Sequence, residues 1–346
     1  MSIIQDFDLG SLDTLLRSFT QRPQALHLDT QLPLILQSLQ QDHLDLLPLP
    51  GQGHTLQRWQ TLARVAGCDL SLAKLYEGHT DALAILSECA ASHRVGQGLW
   101  GVWAAEPPDA RTRIVERDGD QVILEGRKAW CSGALQIDNA LVTAWEHDEP
   151  QLVAIELSHP SQRILAEDWQ AVGMATTTSV VIEFDRSPAQ AIGAPGQYLA
   201  RPGFWHGGGG IAACWYGAAE ALADYLREHC RKPRPDPHAE AHLGAVDAAL
   251  CGARTTLREC AAWIDANPGG DAELLVRRTR AQVEQAVNQV MAHVGRALGA
   301  TPYCHNSHFA RLAADLPVYL RQSHAERDLA VLGQQLAHVP AGAWQL

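Results

Sequence analysis

Histidine titrates closest to neutral pH of all side chains, so its neighbours are a first guide to proton chemistry. His206 directly precedes a run of glycines, Gly207–Gly210. Glycine lets a backbone approach a ligand closely, which places His206 to line a pocket. The run does not follow a strand in a βαβ unit, so it is no dinucleotide fingerprint; it reads as a loop leading into a helix. His238 and His242, in HAEAH, stand at i and i+4 and would share one helix face, as a metal pair does. The stretch lacks the HExxH pattern and has no third ligand, so it reads as a solvated face and no metal is expected. Further back, GLWGVWAAEPP (98–108) is an apolar run closing on Glu106-Pro107, and EGRKAWCSG (125–133) sets Trp130 and Ser132 just after a glycine. These supply a flat aromatic surface and a hydroxyl donor. The eight cysteines form no C-x-x-C pair and read as free thiols of a reducing cytoplasm.

The elements that must position these residues change character twice. Trp59, Leu62, Val65 and Ala66 recur at helical spacing, as do Leu72, Leu75, Tyr76, His79, Leu83 and Leu86, with Asp69 as N-cap of the second helix. From residue 100 the runs shorten and become β-rich: TRIVE, QVILE, NALVTAW, QLVAIEL and SVVIEFD. Asp118-Gly119 between the first two is a hairpin signal. From residue 203 long apolar stripes return: Ile211–Leu226, Leu243–Leu257, Val283–Leu298, and Phe309–Leu316 with Pro317 as a kink or new start. KPRPDPH (232–238) is a turn between the first two stripes. The expected class is α+β: an N-terminal helical domain (1–99), a middle antiparallel β-barrel or sandwich (100–202), and a C-terminal helical bundle (203–346).

A chain of 346 residues with 46% hydrophobic side chains can build more than one layer of core. Its net charge of −12 argues against nucleic acid or an anionic membrane as partner. No apolar run approaches the roughly 18 residues of a membrane span. The acidic start, MSIIQDFDLG, has no basic region of the kind that opens a signal peptide, so a cytoplasmic protein is expected.

The segments 98–108 and 125–145, in this order of helices, β-domain and bundle, resemble the acyl-CoA dehydrogenase family. Its middle domain reads Thr-Glu-Pro, then Gly-x-Lys-x-Trp-x-(Thr/Ser). The resemblance implies bound FAD and hydride transfer from a substrate carbon to the flavin. It also implies a small-molecule substrate (an acyl thioester or a divergent compound), an electron-acceptor protein, and a homodimer or homotetramer. By the same resemblance Ala105, through its N–H, with Glu106, Trp130 and Ser132 would hold the flavin ring. VGRALGATPY (294–303) resembles the segment that reaches FAD across a subunit interface, with Arg296 where Gln is usual and Gly299 at the first glycine. An arginine suits the pyrophosphate. Arg311 and Asp315 match the start of the family's last helix pair.

Three positions depart from the pattern. Ala105 replaces the threonine, PDARTR (108–113) replaces the substrate loop, and Ser323 replaces the glutamate that acts as base. A hydroxyl is too weak a base near neutrality. His206, near the family's alternative base position, and His324 are the imidazoles left to move a proton. Two alternatives stand beside the dehydrogenase. One is a monooxygenase of this fold using reduced flavin and O₂; the other is a non-catalytic flavin- or ligand-binding scaffold.

Overall fold

The computed structural model describes residues 8–20, 28–89, 91–94, 98–234, 236–342 and 344–345. Most of the acidic start (1–7) and Pro235 of the KPRPDPH turn lie outside the described residues. The first helices are α1 (Leu9–Thr20), α2 (Leu28–Gln41), α3 (Thr55–Cys68) and α4 (Leu70–Glu88). The strands follow: β1 (Trp100–Trp103), β2 (Thr112–Asp118), β3 (Gln121–Cys131), β4 (Asn139–Glu146), β5 (Glu149–Glu156), β6 (Gln162–Leu165) and β7 (Val180–Ile192). The chain then runs through α5 (Gln197–Ala200), α6 (Gly203–Cys230), α7 (Pro237–Ala266), α8 (Glu273–Leu298), α9 (Thr301–His305), α10 (Ser307–Tyr319) and α11 (Glu326–Ala337). None of the described helices is long and apolar enough to cross a membrane.

Contacts divide the chain into two compact units, 1–49 with 71–204, and 50–70 with 205–346. In the first, β4, β2, β3, β7 and β5 pair in a closed circuit, with β1 added to β4 and β6 to β7. The β-rich runs are strands, and closure removes free edges from the circuit. The expected antiparallel order is not complete: β1 and β2 meet β4 in parallel. The β2–β3 hairpin turns one residue later than the dipeptide suggests. Asp118 pairs with Gln121, and Gly119 takes the left-handed φ of 60° inside the loop. The core lies under α4, whose Leu83, Ile85 and Leu86 pack with Trp100, Leu141, Leu152 and Ile192.

The second unit is a helical bundle. Val283, Val287, Val290 and Val294 form the buried stripe of α8, and Phe309, Leu312 and Leu316 that of α10. Pro317 sits inside α10, near its end. The glycine run is not a loop: Gly207–Gly210 belong to α6. A Cβ on Gly209 would lie 2.4 Å from the Trp59 ring, and one on Gly217 would lie 2.0 Å from the Ala63 carbonyl oxygen. Helix α6 therefore carries glycines where α3 packs against its backbone, a requirement of close approach that outweighs their poor helix propensity.

Candidate functional site

The β-domain presents Trp130 through an irregularity of β3. Between Lys128, opposite Ile182, and Cys131, opposite Val180, the β3–β7 register slips. Such a bulge re-aims side chains that simple alternation would place elsewhere. Lys128 points inward with no exposure, while Trp130 adopts φ 61° and is 59% exposed. A left-handed backbone at a bulky residue is strained, and such strain persists where the surroundings enforce it. Upstream, Gly126 has φ 106°, and a Cβ there would meet the Arg111 carbonyl oxygen at 2.3 Å.

Ser132 follows directly. Its carbonyl accepts from the Trp103 indole (3.1 Å), and its hydroxyl lies 2.7 Å from that of Ser179. Ser179 is in turn 3.1 Å from Thr177, which donates its own proton to the Met174 carbonyl. With Thr177 so committed, Ser179 donates to Thr177 and the Ser132 hydroxyl donates to Ser179, which leaves the Ser132 oxygen with lone-pair capacity to accept. Ser179 and Thr177 lie some 45 residues from Ser132, and nothing in their local sequence marks them.

Glu106 faces the protein. Its carboxylate accepts from the Lys128 ammonium, from the Thr143 hydroxyl (2.6 Å) and from the Trp145 indole (3.1 Å). Lys128 also donates to the Thr143 carbonyl (3.0 Å) and hydroxyl (2.6 Å). Burial lowers the Lys128 pKa, and Glu106 opposes that shift. The Arg111 guanidinium lies 4.1 Å from the Trp145 ring centroid. This network pins the segment that carries the exposed Ala105. Lys128 is the residue the sequence reading overlooks: it stands in the quoted Gly-x-Lys-x-Trp pattern, but only the fold shows that it reaches Glu106.

The remaining candidates lie in the helical unit. His206 is 2% exposed and packs on the turn before α3, where a Cβ on Gly51 would be 3.3 Å from its ring. That turn is tied to α7 by Asp265, which accepts from Gly53 N (3.0 Å) and from Thr55 N (3.0 Å) and Oγ1 (2.6 Å). Ser323 is buried, donates to Glu284 (2.5 Å) and accepts from Ala325 N (3.1 Å). Glu284 also accepts from Arg321 at 2.7 Å. One turn earlier on α8, Arg280 donates to the carbonyls of Gly208 (2.8 Å) and Gln322 (3.2 Å), and its guanidinium lies 4.7 Å from the Trp215 centroid. Burial lowers the Arg280 pKa. Arg280 and Glu284 thus clamp consecutive residues, Gln322 and Ser323. In the sequence this i,i+4 pair looks like an ordinary solvated helix pair.

His324 is exposed, and its backbone N–H donates to Asp328 at 3.0 Å. Arg296 is exposed in the last turn of α8, and Gly299 closes that helix at φ 62°. His242 meets His293 at 2.8 Å, and no group of three metal-binding side chains occurs among the described residues. An open groove of about 1210 Å³ runs along α8 beside α11, with Glu284, Arg321, Met291, Leu329 and Leu332 in its walls. The structure therefore groups Ala105 with Glu106 through the Lys128 network, and sets Ser132 two residues after Trp130 on the bulge. Arg280 bridges the segments that carry His206 and His324, and Arg296 and Gly299 lie at the C-terminal end of α8.

No family model and no curated protein matches the sequence. Solved structures match its fold over nearly the whole length. Nitrososynthase from Micromonospora carbonacea var. africana superposes with a TM-score of 0.81 at 18% identity, over 95% of this chain and 96% of its own. Methanesulfinate monooxygenase MsuC from Pseudomonas fluorescens gives 0.79 at 19%, over 96% and 98%. TdsC from Paenibacillus sp. A11-2, in complex with FMN and indole, gives 0.78 at 17%, over 95% and 97%. Butyryl-CoA dehydrogenase from Megasphaera elsdenii gives 0.70 at 16%, over 80% of each chain. The chain has the acyl-CoA dehydrogenase fold.

Proposed function

We propose that this chain is a flavin-dependent oxidoreductase whose reaction is a monooxygenation driven by reduced flavin and O₂. The observation that carries the flavin reading is Trp130, held outward at a strained φ and 59% exposed, with the Ser132 hydroxyl held two residues on by Ser179. An exposed, strained aromatic beside a fixed hydroxyl oxygen suits a flat ring with polar edge atoms. Ala105, positioned by the Glu106–Lys128 network, would offer its backbone N–H from the same domain. Bound flavin supplies the electron and O₂ chemistry, and the protein orients and tunes it. Arg296 and Gly299 are proposed to meet the pyrophosphate of FAD from a second copy of the chain. FMN, which TdsC binds, would leave Arg296 without that partner.

The choice of monooxygenation rests on Ser323. Dehydrogenation of an acyl thioester needs a base for the α-proton, and Ser323 is no such base. The carboxylate behind it, Glu284, is engaged by Ser323 and Arg321. MsuC, of the same fold, is a monooxygenase by name, which supports this choice. A dehydrogenase would have to rely on His206 or His324. The experiment is a comparison on flavin-loaded protein. Substrate-dependent O₂ consumption that needs externally supplied reduced flavin supports the proposal. Anaerobic bleaching of the flavin by an acyl-CoA, lost in His206→Ala or His324→Ala, would replace it with the dehydrogenase. Colourless protein that takes up neither FAD nor FMN would leave only the scaffold.

A further inference from the structure

The helical unit holds a histidine pair that the flavin reading does not use. His242 lies on α7 one turn before the buried Val246, and His293 lies on α8 next to the buried Val294. Packing of the two helices along these stripes brings the imidazoles together. Their Nδ1 atoms stand 2.8 Å apart and their ring centroids 5.1 Å apart. The HAEAH spacing offers His238 as the partner of His242; the fold supplies His293 instead. The backbone N–H of His238 is used in the cap of α7, where Asp236 accepts it at 3.0 Å.

At this distance one Nδ1 donates and the other accepts, so a single proton lies between two nitrogens. Each nitrogen becomes a metal ligand once it presents its lone pair. The donor ring does so by carrying its proton on Nε2, a change of tautomer that releases no proton. Two imidazoles on one tetrahedral ion, with metal–nitrogen bonds of about 2.0–2.1 Å, hold their nitrogens roughly 3.3 Å and their ring centroids roughly 5.2 Å apart. The centroids of His242 and His293 already have nearly that separation. The nitrogens need to part by only about 0.5 Å, a pivot of each ring that leaves both helices in place. Both residues are half-buried, so water has access to the remaining coordination positions. Among the described residues no third His, Cys, Asp or Glu joins them, so imidazole and water make up the donor set. Such a set suits Zn²⁺, Cu²⁺ or Ni²⁺, whereas Mg²⁺ and Ca²⁺ take oxygen ligands.

We propose that His242 and His293 bind one divalent transition-metal ion through both Nδ1 atoms, with water completing a tetrahedral shell. The ion ties the first turns of α7 to the last turns of α8. Zn²⁺ is the probe, because it takes this geometry and has no redox chemistry with the free thiols.

The test is calorimetric titration of the full chain with Zn²⁺. Saturable binding of a single ion is expected, with a rise in the thermal midpoint because the ion binds the folded state. Loss of an outer-shell partner typically weakens a metal site about 10–100-fold, so loss of a direct ligand in His242→Gln or His293→Gln should weaken binding by at least that much. His238→Gln should leave it unchanged. Nitrogen NMR of the histidine rings is the second measurement and needs no variant. Zn²⁺ should shift the Nδ1 signals of two histidines and leave both rings protonated at Nε2. Absence of saturable binding to wild type would overturn the proposal, as would ligation through Nε2. Affinity kept in His293→Gln would also overturn it, assigning the ion to His238 with His242 or to the exposed Cys304 thiol. So would an equal loss in His238→Gln. None of these outcomes depends on flavin uptake.

Discussion

At the residue scale the β-domain is organised by one buried ion pair. Lys128 has no exposure, while Glu106 keeps 32% of its side chain accessible, so the two partners are not equivalent. Replacing Glu106 with glutamine leaves a buried ammonium with neutral acceptors alone, the Thr143 oxygens and the new amide carbonyl. Removing one member of a buried pair typically costs about 3–5 kcal/mol. Glu106→Gln should therefore unfold in denaturant with a loss near the lower end of that range, because Thr143 and the amide carbonyl still accept. Lys128→Met should lose less, since solvent reaches the carboxylate left behind. Equal, small losses in both variants would show that the pair does not hold the Ala105 segment. Trp130 belongs to the same argument. Its strain is enforced by the β3 bulge that also turns Lys128 inward, so the anchor and the exposed indole are two results of one register shift.

At the element scale the contact of α3 with α6 depends on glycine. Gly217→Ala would place a methyl group 2.0 Å from the Ala63 carbonyl, and backbone cannot rotate away as a side chain would. Overpacking of this kind costs about 1–3 kcal/mol, so thermal unfolding of Gly217→Ala should fall well below wild type. Gly244→Ala, on α7 with open space around it, is the control and should be neutral or slightly stabilising. The C-terminal end of α3 carries a second lock. His308 Nε2 donates to the Gly67 carbonyl (2.9 Å), and its Nδ1 meets the Tyr225 hydroxyl (2.8 Å). Burial lowers the His308 pKa, opposed by the bond to Gly67 and reinforced by Arg311. The folded state thus binds this proton less readily than the unfolded chain. The contribution of neutral His308 is complete above its ordinary pKa of 6.5 and is lost as pH falls below that value toward the lowered folded one. Over that window stability should drop by at most about 1.4 kcal/mol per pH unit. His308→Gln should flatten this part of the profile; an unchanged slope would assign it to other groups.

At the scale of the whole molecule the proposed flavin site requires association. If Arg296 and Gly299 reach FAD bound by another copy, FAD-loaded protein should sediment as a dimer or tetramer. Arg296→Glu should then weaken FAD, by setting a negative charge near the pyrophosphate, and leave FMN affinity unchanged. A monomer carrying stoichiometric FAD would end the shared-site proposal.

The order of helices, β-strands and helices was determined by the sequence alone, because period-2 and helical apolar spacing are local properties that survive without any partner. The existence of the β2–β3 hairpin, though not the residue at which it turns, and the stripe Val283–Val294 are of this kind. Gly207–Gly210 are not. Their propensity argues for a loop, and only the Trp59 ring, contributed by a helix some 150 residues earlier, makes a glycine necessary at Gly209 inside α6. Glu106 could be picked out by motif, yet its orientation toward Lys128, Thr143 and Trp145 is a product of strand pairing. The pairing Ser132–Ser179, the clamp of Arg280 and Glu284 on Gln322 and Ser323, and the bond between His242 and His293 have the same origin. Each joins residues whose separation in sequence carries no signal, and each is decided by register and helix packing, which bring polar groups to distances where leaving them unpaired would be costly.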